Sequence, residues 1–456
     1  MALTKHIISA AIILILIFSA ADGQDSPKNP YVVLNKHFEA MGGLDRLKAE
    51  CSQYYEADLS IGELKGTLKF WAQKPGKNRA EANVGILKII QGKNSDCDWV
   101  LDQNNKLQKI TNFDDATIKR KQLKLLIDDY KYADPNLKTF TVKYNNVSEV
   151  EGEQCYVIEI TNSLNVDKLT MYINSDNYLL KKIISIEGAD SHDAFYDDYR
   201  EVDGVMVAFR IKEIQHQTGQ DQLVNITKYI SNPELDSSVF KAPNEPAKDY
   251  QFVQGHSAEN IPIQFVENHI YIPVIIDCRK TMWILDTGAG MSVLAKKFAE
   301  NTGLKLEGNI KGAGAGGQLD VNFTKLPSYS LPGITFDEQT VAVIDITELN
   351  KLLGIKIDGI LGYDFLSRFV TKVDYANEYV SLYDPDYFAY SGEGRELDLH
   401  LKNNQFMVET TLDGKYSGTW LFDLGASGVS LDAAYANSKH LNDKKGVEGI
   451  GHGETH

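Results

Sequence analysis

The chain has 456 residues, 43% of them hydrophobic and 24% charged. Those values are ordinary for a soluble globular protein and exclude collagen-like, disordered and polytopic membrane classes; the length suggests two or three domains. With 47 Lys+Arg against 63 Asp+Glu the formal charge is −16, so no nucleic-acid partner is expected, because binding phosphates needs a positive footprint.

Residues 1–23 read as a signal peptide. Lys5 and His6 precede an apolar run over 7–21 that only Ser9 and Ser19 interrupt, and small and polar residues follow. The run is too short to span about 30 Å of hydrocarbon comfortably, which predicts export to a periplasmic or secreted location, with an uncleaved N-terminal anchor as the alternative. Cys51, Cys97, Cys155 and Cys278 include no CxxC pair, so neither a thioredoxin-like nor a zinc site is indicated. Three full disulfide pairings and four buried free thiols all remain open.

Over 24–243 the pattern is mainly β. A helix fits 31–50, interrupted by Gly42 and Gly43, and a second fits 114–129 with acidic residues at its start. Strand-like runs occupy 54–61, 64–72, 139–144, 155–160 and 168–173, separated by turn residues such as Pro75-Gly76 and Asp203-Gly204. This predicts an antiparallel sheet covered by one or two helices. Residues 41–47 (MGGLDRL), 198–205 (DYREVDGV), 232–236 (NPELD) and Phe240 resemble the periplasmic lipoprotein-sorting carriers. The resemblance implies an open antiparallel β-barrel with helices at its mouth, and a concave face for an acyl chain or peptide; a structural or chaperoning prodomain is the alternative. No nucleophile–base pair is visible here. Residues 244–260, rich in polar residues and proline, read as a linker without regular structure.

Beyond residue 260 the chain repeats itself. WILDTGA at 283–289 recurs as WLFDLGA at 420–426, an offset of 137. The same offset relates Phe298-Ala299 to Tyr435-Ala436 and GAGAG at 312–316 to GIGHG at 449–453. Asn268 and Asp277 pair with Asn404 and Asp413 at offset 136. A register held over about fifty residues marks a duplicated β unit. In each copy an apolar strand runs into Asp-x-Gly-Ala, which sets a carboxylate at a strand-to-turn transition where glycine permits the tight backbone. In the first copy IDGILG follows at 357–362, with Ile360 placed 74 residues after Asp286. Such an apolar pair ending in glycine can pack behind the carboxylate turn and keep it poor in water.

Residues 285–289 (LDTGA), the glycine-rich segment and 359–366 (GILGYDFL) resemble an aspartic protease lobe of the retropepsin type, and secreted bacterial members carry two tandem lobes. The resemblance implies β-barrel lobes at 261–390 and, incomplete, at 391–456. It implies Asp286 and Asp423 as catalytic residues, supported by Thr287, Gly288, Ala289, Gly425, Ala426, Ile360, Leu361 and Gly362. It further implies flaps at Gly312, Gly314, Gly316, Gly449 and Gly451. The activity implied is hydrolysis of a peptide or unfolded protein by two carboxyls that share a proton, with no metal and no cofactor.

Two features depart from that pattern. Leu424 replaces the Thr or Ser whose hydroxyl would lock the two catalytic turns together. The sequence also ends 33 residues after Asp423, without a second Ile-Leu-Gly, so a fragment of a longer reading frame is expected, whose incomplete second lobe puts its activity in question. The competing expectation is a vestigial lobe in a non-catalytic lipid or peptide binder; pairing of Asp286 from two chains is a third. GxGxxG at 312–317 opens no helix, which removes a dinucleotide reading, and His452 and His456 on a glycine-rich loop lack metal-ligand geometry. Asp358, Asp364 and Asp374 read as turn or loop carboxylates, and Trp283 and Trp420 as core residues.

Overall fold

The computed structural model describes residues 29–187, 190–314, 317–431 and 433–441. The expected signal peptide and the expected flap residues Gly316, Gly449 and Gly451 lie outside these residues. The chain divides near residue 247 into two compact units, each mainly β.

The N-terminal unit opens on helix Pro30–Ala40. Asn29 caps it, Oδ1 accepting from the Tyr31 N–H at 3.0 Å, and Pro30 stands at the first turn, where a missing N–H costs nothing. Gly42 (φ 91°) and Gly43 (φ 98°) break it before a second helix, Leu44–Ala49. Helix Asp115–Asp128 is capped by Asp114, which accepts from the Thr117 N–H at 2.6 Å. Thirteen antiparallel strands form one sheet. It runs from the edge strand Leu107–Ile110 back to Ser52–Ile61, crosses to Asp221–Ser231, and continues to Phe140–Val150 at the other edge. Alternation sets its inner face: Tyr55, Ala57, Leu59 and Ile61 are all buried, with Tyr55 opposite Phe70 and Ala57 opposite Leu68. The two edge strands do not pair among the described residues, so closure into a barrel is not seen.

Residues 244–260, expected to lack regular structure, contribute two strands to the C-terminal unit. Tyr250–Phe252 pairs with Ile334–Phe336, and Ser257–Pro262 pairs with Tyr379–Tyr383. The aromatic residues decide this: the Tyr250 ring packs 4.7 Å from that of Phe369, which outweighs the local polar composition.

The duplication is visible in three dimensions. Hairpin His269–Ile276/Arg279–Leu285 and helix Lys296–Thr302 recur as hairpin Gln405–Leu412/Tyr416–Leu421 and helix Ala433–Ser438. The turns recur too. Asp277 and Cys278 (φ 47° and 61°) match Asp413 and Gly414 (53° and 63°), two left-handed residues in sequence, as the right-handed twist of a tight hairpin requires. Strand Arg279–Leu285 also pairs in parallel with Gly359–Leu361, Trp283 opposite Gly359 and Leu285 opposite Leu361. Trp283 is fully buried, as expected of a core residue, whereas Trp420 is only partly covered, its Nε1 unpartnered.

A Cβ at Gly359 would lie 2.5–2.6 Å from the Trp283 ring. Gly359→Ala should therefore destabilise the C-terminal unit by about 3 kcal/mol, the range of core overpacking. The check is chemical denaturation of the full chain, in which the midpoint of the C-terminal unit falls and that of the N-terminal unit stays.

Candidate active site

Asp286 leaves the end of strand Arg279–Leu285, where its N–H donates to the Leu361 carbonyl at 3.0 Å. Its Oδ1 accepts from the Gly288 N–H at 2.7 Å and the Ala289 N–H at 3.1 Å, so the turn grips its own carboxylate. Asp423 repeats this at the end of Tyr416–Leu421, Oδ1 accepting from the Gly425 N–H at 2.8 Å.

The two turns face each other. A Cβ on Gly288 would stand 2.6–2.7 Å from the carboxyl atoms of Asp423, and one on Gly425 would stand 2.4–2.6 Å from those of Asp286. Each carboxyl thus rests on the glycine of the opposite turn, which only a residue without a side chain allows. Burial, the charge of Asp423 and a hydrogen bond between the two push the Asp286 carboxyl up to about 7, against the downward pull of the Gly288 and Ala289 N–H groups.

Thr287 braces the two turns from one side. Its hydroxyl donates to the Phe422 carbonyl at 2.6 Å and accepts from the Leu424 N–H at 2.8 Å. Leu424 has no hydroxyl to return, and its side chain packs against the apolar core of the first copy instead. Additional contacts span the copies in matching pairs. Asn268 Nδ2 donates to the Ser427 carbonyl at 2.9 Å and Asn404 Nδ2 to the Gly290 carbonyl at 3.3 Å. Gln405 Nε2 adds a bond of 2.7 Å to the Gly288 carbonyl. These amides were missed as functional residues, although Asn268 and Asn404 were in plain view as equivalent, identical positions of the repeat.

Behind the pair, Gly359–Leu361 forms a strand, with Leu361 buried and Ile360 half-buried. A Cβ at Gly362 would meet backbone atoms of Ala289 and Met291 at 2.7 Å. Ala426, beside Gly425, is exposed. Gly312 and Gly314 lie on strand Glu307–Gly314, which forms a hairpin with Gly317–Leu326.

Asp364 corrects an expectation: it is no loop carboxylate but is 3% exposed. Its Oδ1 accepts from the Ser292 N–H at 2.7 Å, the Ser292 hydroxyl at 2.6 Å and the Phe365 N–H at 2.9 Å. The Ser292 oxygen in turn accepts from the Gly362 N–H at 3.1 Å. Asp358 is also buried, paired to Lys356 at 2.8 Å, whereas Asp374 is a turn carboxylate bonded to Asn377.

All four cysteines are free thiols. Among the described residues no group of three or more His, Cys, Asp or Glu could hold a metal ion, and no helix is long and apolar enough to cross a membrane.

Comparison with known proteins bears on this geometry. The model of the family described as Aspartyl protease matches residues 272–365. No curated protein matches the chain. Among solved structures, a retropepsin-like aspartic protease from Rickettsia conorii is similar at 20% identity, covering 29% of this chain and 96% of that one, with a TM-score of 0.21. A DUF1329 family protein from Desulfovibrio piger is similar at 12% identity over 47% of this chain and 98% of that one, TM-score 0.32. A putative outer membrane lipoprotein-sorting protein domain from Vibrio parahaemolyticus is similar at 12% identity over 43% and 93%, TM-score 0.29. The segment that carries Asp286, its glycine turn and the Gly359–Leu361 strand thus matches the aspartyl proteases, the family its motifs resemble.

Proposed function

We propose that the chain is an exported aspartic endopeptidase in which Asp286 and Asp423 share one proton and activate water against a peptide bond. The observation that carries this reading is the reciprocal seating of each carboxyl on the glycine of the opposite turn. In the reaction, the ionised carboxyl takes a proton from a bridging water as its oxygen attacks the scissile carbonyl carbon. The protonated partner gives its proton to the carbonyl oxygen, so the pair still holds one proton and the tetrahedral diol is neutral. Return of one proton to the pair and delivery of another to the amide nitrogen then break the C–N bond and release acid and amine. Peptide binds as an added strand along the cleft, where backbone hydrogen bonds make few demands on sequence. The test is cleavage of an unfolded polypeptide by the full chain, with Asp286→Asn and Asp423→Asn beside it. Products with new termini from the parent only are expected; equal cleavage by all three ends the reading.

The same pair ties stability to pH. A carboxyl whose value rises from 3.8 to about 7 on folding binds more protons folded than unfolded between those limits. Its contribution is therefore complete below about pH 4 and is lost as pH rises to about 7. Asp286→Asn should flatten that decline and be the more stable protein at pH 8. The gain is on the order of 2 kcal/mol, less than the full shift because Asp286 keeps some contact with solvent. Denaturant midpoints of the C-terminal unit across pH measure it.

The second reading, a non-catalytic binder, is favoured by Leu424, which leaves the turns braced from one side only. In that reading the N-terminal unit holds a lipid or peptide. A cavity of about 70 Å³ in that unit is lined by Glu50, Lys74, Lys77, Lys124 and Tyr130 among others. That volume is small for an acyl chain.

A further inference from the structure

We propose that Asp249 and the buried Arg368 form a latch that holds the Asp286 turn in place, which makes them positioning residues of the site; the proposal rests on the peptidase reading for its effect on rate, not for its effect on structure. Arg368 has 1% of its side chain exposed. Its guanidinium meets Asp249 through two parallel bonds, Nε to Oδ1 at 2.8 Å and Nη2 to Oδ2 at 2.5 Å. Asp249 is oriented in turn: Gln339 Nε2 donates to its Oδ2 at 2.9 Å, and the Tyr329 hydroxyl donates to Gln339 Oε1 at 3.0 Å. Asp249 stands at the start of the C-terminal unit, immediately before strand Tyr250–Phe252.

What links this pair to the site is a second carboxylate. Burial pushes the Asp364 carboxyl up, and the charge of Arg368, in whose field it also lies, only partly opposes this. Both partners keep an unused atom, Nη1 of Arg368 and Oδ2 of Asp364, each buried without a hydrogen bond. Asp364 is nevertheless held by Ser292, whose hydroxyl anchors the Gly362 N–H, one residue beyond the Leu361 carbonyl that receives the Asp286 N–H. While Asp249 holds the guanidinium through Nε and Nη2, Asp364 is left to serve Ser292. Without Asp249, a buried cation has lost its partner, and Asp364 is the carboxylate left to draw on. A pull by Arg368 on the free Oδ2 would turn the Asp364 carboxyl, and with it the Oδ1 that accepts from the Ser292 N–H and hydroxyl, and so disturb the geometry of the turn. Asp249 thus acts by keeping Arg368 occupied.

The test is amide hydrogen exchange in the full chain at Ser292 and Gly362, read with steady-state cleavage. Asp249→Asn should speed exchange at both amides at least tenfold and lower kcat about tenfold with KM nearly unchanged. The double variant Asp249→Asn/Arg368→Met removes the unpaired cation with the latch and should bring exchange back to within about threefold of the parent. Lys248→Ala, which cuts the neighbouring pairs to Asp384 and Asp386 (2.6 and 2.8 Å), should leave both amides unchanged. Should Asp249→Asn not fold, Gln339→Met gives the same direction at about two- to fivefold. Unchanged exchange at Ser292 and Gly362, or a double variant no better than the single one, overturns the latch. Exchange decides this whether or not the protein cleaves peptides; absence of cleavage in the parent bears on the peptidase reading alone.

Discussion

Asp286→Asn and Asp423→Asn should each lower cleavage of an unfolded polypeptide by about 10³-fold or more, at every pH where the parent is active. Asparagine keeps the size of the side chain and can still accept from the Gly288 or Gly425 N–H, so the turns survive and the loss is chemical. It cannot hold or release the shared proton, and both halves of the step need that proton: one carboxyl ionised to activate water, the other protonated to polarise the carbonyl. Because the two act as one unit, the double variant should be no worse than either single one. Rates from fluorogenic peptides, with denaturation curves to show intact folding, measure this. Full activity in both variants removes the dyad; additive losses mean that the carboxyls work separately.

Gly425→Ala and Gly288→Ala should come next in size, with a loss of about 10²-fold, because a displacement near 1 Å at reacting groups costs that much. The added methyl would sit 2.4–2.6 Å from the Asp286 carboxyl in the first variant and 2.6–2.7 Å from that of Asp423 in the second. Neither glycine has a left-handed backbone, so alanine suits the turn itself, and the effect reports the facing carboxyl rather than strain. Gly428→Ala is the control: nothing lies within 4 Å of its Cβ, and activity should match the parent. The pH dependence adds a signature, since wedging the carboxyls apart weakens their mutual repulsion and lowers the upper limb of the pH–rate profile. Equal activity of Gly425→Ala and Gly428→Ala would show that the turns are not packed face to face in solution.

Leu424 gives these predictions their context. In a reciprocal brace two hydroxyls share the task; here Thr287 alone donates to Phe422 and accepts from Leu424. The leucine side chain contributes packing in exchange for the lost hydrogen bond. The matched amides Asn268 and Asn404, with Gln405, supply further ties between the copies. The pair of turns is therefore held by backbone-directed bonds from neighbouring hairpins more than by the turns themselves.

Much of this molecule was legible in its sequence because the signals are local. The break at Gly42-Gly43, the acidic start of the helix near Asp114, the alternation of Tyr55 to Ile61 and the recurrence of Asp-x-Gly-Ala each depend on a few consecutive residues, and each has its counterpart in the structure. Tertiary structure alone decided the rest. Residues 244–260 look polar and irregular until the rings of Phe336 and Phe369 are beside Tyr250. Asp364 reads as a turn carboxylate until burial leaves it Ser292 as a partner. Asp249 and Arg368 stand 119 residues apart, and no spacing rule connects them. A local motif carries its own geometry in the backbone, whereas a bond between distant residues exists only once packing has excluded water and left each polar group to find its partner.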